Sequence, residues 1–169
     1  MDNDSLLRDD VHSGDPNLGF TQTLFLVKRL QFVIRALMDD ALRPFQITPL
    51  QYTILTILQH KGTMSSVALA RRVFLKPQTM HEIVNLFEKR CLIQKERNPD
   101  DRRASLISLS PAGIELLRQC YPIVLNLEDR LLSNFTSGQR LIFREGLLGG
   151  IAALTAEAKA RNVVADAAT

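Results

Sequence analysis

The chain has no tryptophan, only two cysteines and only three histidines. Cys91 and Cys120 form no CxxC pair and share no Cys/His ligand spacing, so neither a disulfide framework nor a zinc site is expected. His12, His60 and His81 lie far apart in sequence and stand beside no nucleophile pattern. A glycine-rich phosphate loop is also missing, so the chain reads as a non-enzyme without metal or cofactor. No apolar run approaches the roughly 18–20 residues of a membrane span, and no basic-then-apolar segment opens the chain. Those two absences predict a soluble, cytoplasmic protein with no membrane partner.

Strong charge of one sign is lacking overall, since the net charge is only +3. Its distribution is uneven, however. Residues 71–103 hold nine basic residues against five acidic ones, a net of +4 within the total of +3, which leaves the remainder at −1. What the chain does have is 169 residues with 46% apolar and 23% charged side chains, enough for one ordinary core without covalent staples.

Residues 1–16 are polar and acidic without apolar periodicity and read as a flexible N-terminal arm. From 17 to 42, Phe20, Leu24, Val27, Leu30, Ile34, Leu37, Met38 and Ala41 step by threes and fours, the stripe of an amphipathic helix that Pro44 stops. Thr48-Pro49-Leu50-Gln51 is a capping box that opens a second helix, striped by Tyr52, Leu55, Ile57 and Leu58 and ended by Gly62. Ser65 or Ser66 caps a short third helix over about 66–74, with Val67, Leu69, Ala70 and Val73 facing inward. A turn at Leu75-Lys76-Pro77 leads to a fourth helix over about 77–90.

In that fourth helix Met80, Ile83, Val84 and Phe87 follow the helical repeat and form its buried side. Two strands over 92–97 and 104–109 flank the turn chemistry Asn98-Pro99-Asp100-Asp101, which predicts a hairpin. Ser110-Pro111 caps a fifth helix to about 135, with Pro122 inside it and a kink or break therefore expected near Cys120. Thr136-Ser137-Gly138-Gln139 caps a last helix to about 159, and 161–169 read as a flexible tail. The fold class is therefore mostly α with a small β-hairpin wing. A winged helix-turn-helix at 48–110 is flanked by a helical dimerisation region at 17–47 and 111–160. Those flanking helices carry more apolar stripe than so small a domain covers alone, which predicts a homodimer.

The outward side of the fourth helix presents Gln78, Thr79, His81, Glu82, Asn85 and Lys89, groups able to donate to or accept from base edges in a major groove. Gln78 and Asn85 match adenine and Glu82 matches cytosine. Ser65 and Lys76, at the two helix starts, complete the expected contacts to double-stranded DNA. At the hairpin tip, Arg102 and Arg103 supply cations narrow enough for a minor groove, with Asp101 orienting Arg103.

Leu69-Ala70-Arg71-Arg72, Phe87-Glu88-Lys89-Arg90-Cys91-Leu92-Ile93, Asp101-Arg102-Arg103-Ala104 and Leu109-Ser110-Pro111-Ala112-Gly113 together resemble the signature of the MarR family of bacterial winged-helix regulators. The resemblance spans about 18–154. It implies a homodimer on a pseudo-palindromic operator, usually a repressor, whose first, fifth and sixth helices interlock. Cys91 stands where the family usually has glycine, Glu82 where an arginine is common, and Ser110 where a threonine is usual. Cys91 is read as a tolerated small residue.

The resemblance further implies release by a small phenolic or aromatic carboxylate held among the first, second and fifth helices, with Arg35, Tyr52 and His60 as its lining. Members that sense oxidants carry a cysteine near the start of the first helix, and this chain has none there. Cys120, on the apolar side of the fifth helix, reads as buried and inert. The alternative is a winged-helix protein-interaction module without sequence-specific DNA binding, which the negative Glu82 favours.

Overall fold

A computed structural model describes residues 16–97 and 105–160, and side chains over 23–97 and 105–157. The arm at 1–15, the hairpin tip with Asp101, Arg102 and Arg103, and the tail at 161–169 lie outside the described residues. Residues 1–41 and 42–169 form two compact units.

The described residues of the first unit lie in one helix, α1 (Pro16–Leu42), which starts one residue inside the stretch read as an arm and whose last residue belongs to the second unit. Leu30, Ile34, Met38 and Ala41 of its stripe are half-buried, whereas Leu24, Val27 and Leu37 are exposed together with Phe25, Phe32 and Val33.

The second unit opens with a 3₁₀ turn at Arg43–Phe45 and continues through α2 (Pro49–Lys61), β1 (Met64–Ser65), α3 (Ser66–Arg72), α4 (Pro77–Lys89), β2 (Ile93–Arg97), β3 (Ser105–Leu109), α5 (Pro111–Leu131) and α6 (Ser137–Ala160). Local chemistry sets the helix starts. Gln51 N–H donates to Thr48 Oγ1 at 3.2 Å and Thr48 N–H donates back to Gln51 Oε1 at 3.0 Å, a closed capping box worth about 1 kcal/mol. Ser65, not Ser66, caps α3 by accepting from Ala68 N–H at 3.2 Å. Thr136 and Gln139 repeat the reciprocal arrangement ahead of α6.

The core of the second unit joins Ile54, Leu55 and Leu58 of α2 to Leu69 and Ala70 of α3, Met80, Val84 and Phe87 of α4, and Leu92, Ile93, Ile107 and Leu117. Burying Phe87 completely contributes about 1.5–3 kcal/mol. Three expectations need correction. Val67 is 47% exposed, because α3 is a short helix whose inner side is already filled by Leu69 and Ala70. Ile54, absent from the expected α2 stripe, is fully buried, since α2 is covered on more than one side. Helix α5 ends at Leu131 rather than near 135 and runs unbroken through Pro122, which sits at an exposed position.

The sheet has the order β1-β3-β2, all antiparallel. The hairpin of β2 and β3 was legible from its turn, but β1 is two residues long and too short to show a period. In the register Met64 faces Ile107 and Lys95 also faces Ile107 from the other side.

Candidate nucleic-acid interface

Helix α4 presents one side to the core and the other to solvent, as its apolar repeat dictates. Gln78, Thr79, His81, Glu82 and Lys89 are exposed, and Asn85 is half-buried with its Oδ1 3.5 Å from Lys95 Nζ. Lys76 is the half-buried residue preceding the helix, with Pro77 in the first turn, where a missing N–H costs nothing. Ser65 is half-buried at the start of α3, its oxygen already accepting from the backbone. The structure thus gathers Gln78, Thr79, His81, Glu82 and Lys89 on one exposed face.

The turn between α3 and α4 holds Phe74 at φ 56°, and Leu75 N–H donates to Ala70 carbonyl at 2.9 Å, closing the end of α3. The end of α4 is closed in the same way: Cys91 N–H donates to Glu88 carbonyl and Leu92 N–H to Phe87 carbonyl, both at 2.9 Å. This closure needs a left-handed residue, and Cys91 supplies it at φ 56°. Cys91, read from the sequence as a tolerated small residue, thus stands where any side chain is strained.

Sequence reasoning missed two contacts that fix α4. Arg90 donates to the carbonyls of Gln46 at 2.5 Å and Phe45 at 3.0 Å, tying the end of α4 to the turn before α2. Lys95 of β2 pairs with Glu88 at 2.5 Å. Arg90 was visible only as part of the family signature, and Lys95 only as a charge in a strand.

Of the expected effector residues, Arg35 lies in the first unit, where it pairs with Asp39 at 3.8 Å. Tyr52 and His60 line one cleft of the second unit, of ≈ 200 Å³, with Thr53, Thr56, Ile57, Lys61 and Arg72. Burial raises the pKa of the Tyr52 phenol, which keeps it protonated as a donor. Burial likewise pushes the Cys120 thiol up to about 11. Among the described residues no group of His, Cys, Asp and Glu has a metal-binding arrangement, and no helix is long and apolar enough to cross a membrane.

A short helix, a turn, an exposed polar helix and an antiparallel hairpin that returns to a long helix define a winged helix-turn-helix protein. Residues 45–104 match the family model described as MarR family. The chain is 30% identical over 116 residues to the uncharacterized HTH-type transcriptional regulator YdcH of Bacillus subtilis, covering 62% of this chain and 79% of that one. It is 32% identical over 85 residues to the uncharacterized HTH-type transcriptional regulator YhbI of the same organism, covering 50% of this chain and only 55% of that one. The fold is also that of BpsR of Bordetella bronchiseptica, at a TM-score of 0.67 and 21% identity over 78% of this chain and 98% of that chain. The chain belongs to the MarR family of helix-turn-helix transcriptional regulators, which are not enzymes.

Proposed function

We propose that this protein is a dimeric, sequence-specific binder of double-stranded DNA that represses transcription and is released by a small phenolic or aromatic carboxylate. The observation that carries the DNA reading is the exposed face of α4, where Gln78, Thr79, His81, Glu82 and Lys89 stand together on a helix clamped at its far end by Arg90. Gln78 would read adenine, Glu82 would accept from cytosine, and Thr79, His81, Lys76, Lys89 and Ser65 would meet bases or phosphates. Asn85 is half-buried and stands at the edge of that face. Arg102 and Arg103, oriented by Asp101, would enter the minor groove from the wing.

Dimerisation is supported by large apolar side chains exposed on the helices outside the winged region: Phe25 and Phe32 on α1, Tyr121 on α5, and Ile142, Leu148 and Ile151 on α6. An exposed apolar area of that kind is characteristic of an interface, and a two-fold dimer presents two α4 helices to a palindrome. The helical segments 17–47 and 111–160 would then serve as the dimerisation region around the DNA-binding region 48–110.

The effector reading is supported by the cleft at Tyr52. It combines the protonated phenol of Tyr52 and the imidazole of His60 with Lys61 and Arg72, cations suited to a carboxylate. A fold relative, BpsR, has its DNA binding regulated by 6-hydroxynicotinic acid, an aromatic acid.

Selection from random duplexes, followed by titration at several salt concentrations, tests this function. The expected result is an enriched palindrome whose affinity falls steeply with salt and drops about tenfold or more on Arg103→Ala. No enriched palindrome at moderate salt would overturn it in favour of a protein partner.

A further inference from the structure

Lys95 occupies an unusual place for a lysine. It aligns with Ile107 in the β2–β3 register, and paired residues of an antiparallel ladder point to the same side. Ile107 is 1% exposed, and Ile93, two residues before Lys95 on the same side of β2, is 5% exposed. Lys95 therefore stands on the core side of the hairpin, with its side chain only 25% exposed, at a position where the pattern calls for an apolar residue. Its neighbours Gln94 and Glu96, on the other side of the strand, are exposed.

A cation there is costly unless it is partnered, and both partners lie on α4: Glu88 Oε2 at 2.5 Å and Asn85 Oδ1 at 3.5 Å. Asn85 and Glu88 are three residues apart and so share one side of that helix. They form the edge where α4 meets β2. The chain passes from β2 directly into 98–104, the wing tip.

We infer that Lys95 is a positioning residue for DNA binding: held by Glu88 and Asn85, it braces the wing hairpin against the recognition helix so that both readers meet the duplex at a fixed angle. This rests on the proposed DNA-binding reading. An ammonium has donors and no acceptor, so it must face the amide oxygen of Asn85. One of the two lone pairs of the Asn85 oxygen is then turned toward Lys95, which gives Asn85 a task in holding Lys95 beside any contact it makes with a base.

The brace makes a prediction of unexpected sign. Removing a negative charge beside DNA ordinarily tightens binding, yet Glu88→Gln should weaken operator binding about fivefold while leaving the salt slope unchanged, because no phosphate contact is lost. Lys95→Arg, which keeps the cation, should remain within about threefold of the parent. In the free protein, hydrogen–deuterium exchange at the β2 amides should quicken about fivefold in Glu88→Gln.

Unchanged exchange in that variant overturns the brace whatever happens with DNA. Unchanged or tighter operator binding by Glu88→Gln overturns its role in DNA recognition. A parent that binds no duplex sinks the DNA-binding reading itself, and the exchange measurement still decides whether the brace exists.

Discussion

Ser110 Oγ donates to the carbonyl of Cys91 at 2.6 Å and accepts from Gly113 N–H at 3.0 Å. One hydroxyl thus caps α5 and anchors the residue that ends α4. Ser110 N–H also donates to Leu92 carbonyl at 3.1 Å, so the end of α4 and the start of α5 are tied together behind the wing.

Cys91 holds its place in that junction at φ 56°, a conformation that costs a side-chain-bearing residue about 1–2 kcal/mol and glycine little. Glycine also loses more chain entropy on folding, so the net gain is smaller than the strain. Cys91→Gly should stabilise the protein by about 0.5–1 kcal/mol, seen as a higher urea midpoint at unchanged slope. A lower midpoint would mean that the thiol contributes packing that outweighs the strain.

Gly113 is constrained by space rather than by backbone angle. A Cβ there would lie 2.1 Å from Leu92 O, a backbone atom that also accepts from Ser110 N–H. Gly113→Ala must therefore separate α5 from the hairpin root and should destabilise the fold by about 3 kcal/mol, measured by denaturant unfolding. Gly138→Ala, where a Cβ meets nothing within 4 Å, is the control and should lie within about 0.5 kcal/mol of the parent.

The two thiols should differ in chemistry. Cys91 is exposed and Cys120 is buried, with burial raising the latter from an ordinary 9.0 to about 11. A maleimide at neutral pH should label one cysteine per native chain, and mass spectrometry should place it at Cys91. The unfolded chain ionises at Cys120 first as pH rises, so stability is unaffected below about 9 and falls between about 9 and 11. Cys120→Ala should flatten that part of the pH–stability curve. Equal labelling of both thiols in the native protein would show that the α5 site opens.

Much of this was legible in the sequence because the signals are local. Thr48 with Gln51, Thr136 with Gln139 and Ser110 with Gly113 announced helix starts through chemistry confined to four residues. The α4 period separated Met80, Val84 and Phe87 from the exposed polar face in the same way. The contacts that hold the face were not legible, because Arg90 reaches Phe45 and Gln46 across more than forty residues of chain. The strain at Cys91 showed in the sequence only as a departure from the glycine that the resemblance leads one to expect, since cysteine itself carries no left-handed signal. Ile54 and Val67 exchanged their expected environments because a helix period shows which residues share a side but not how many sides are covered. The Tyr52–His60 pair was anticipated by family resemblance, while Lys61 of the same helix and Arg72 of α3 were not singled out.

The β1-β3-β2 order also bears on how the protein behaves when crowded with copies of itself. Strand β3 is paired along its whole length with β2 and at Leu106 and Ile107 with β1, which shortens the row of backbone donors and acceptors left free on its β1 side. The outer edge of β1 is only two residues long. The remaining open edge, β2, reads Ile93-Gln94-Lys95-Glu96-Arg97, with alternating charges toward its end. Such an edge resists pairing with an identical strand, because at many registers like charges meet. The same few residues that shape the wing root thus guard a small sheet against growing into a larger one.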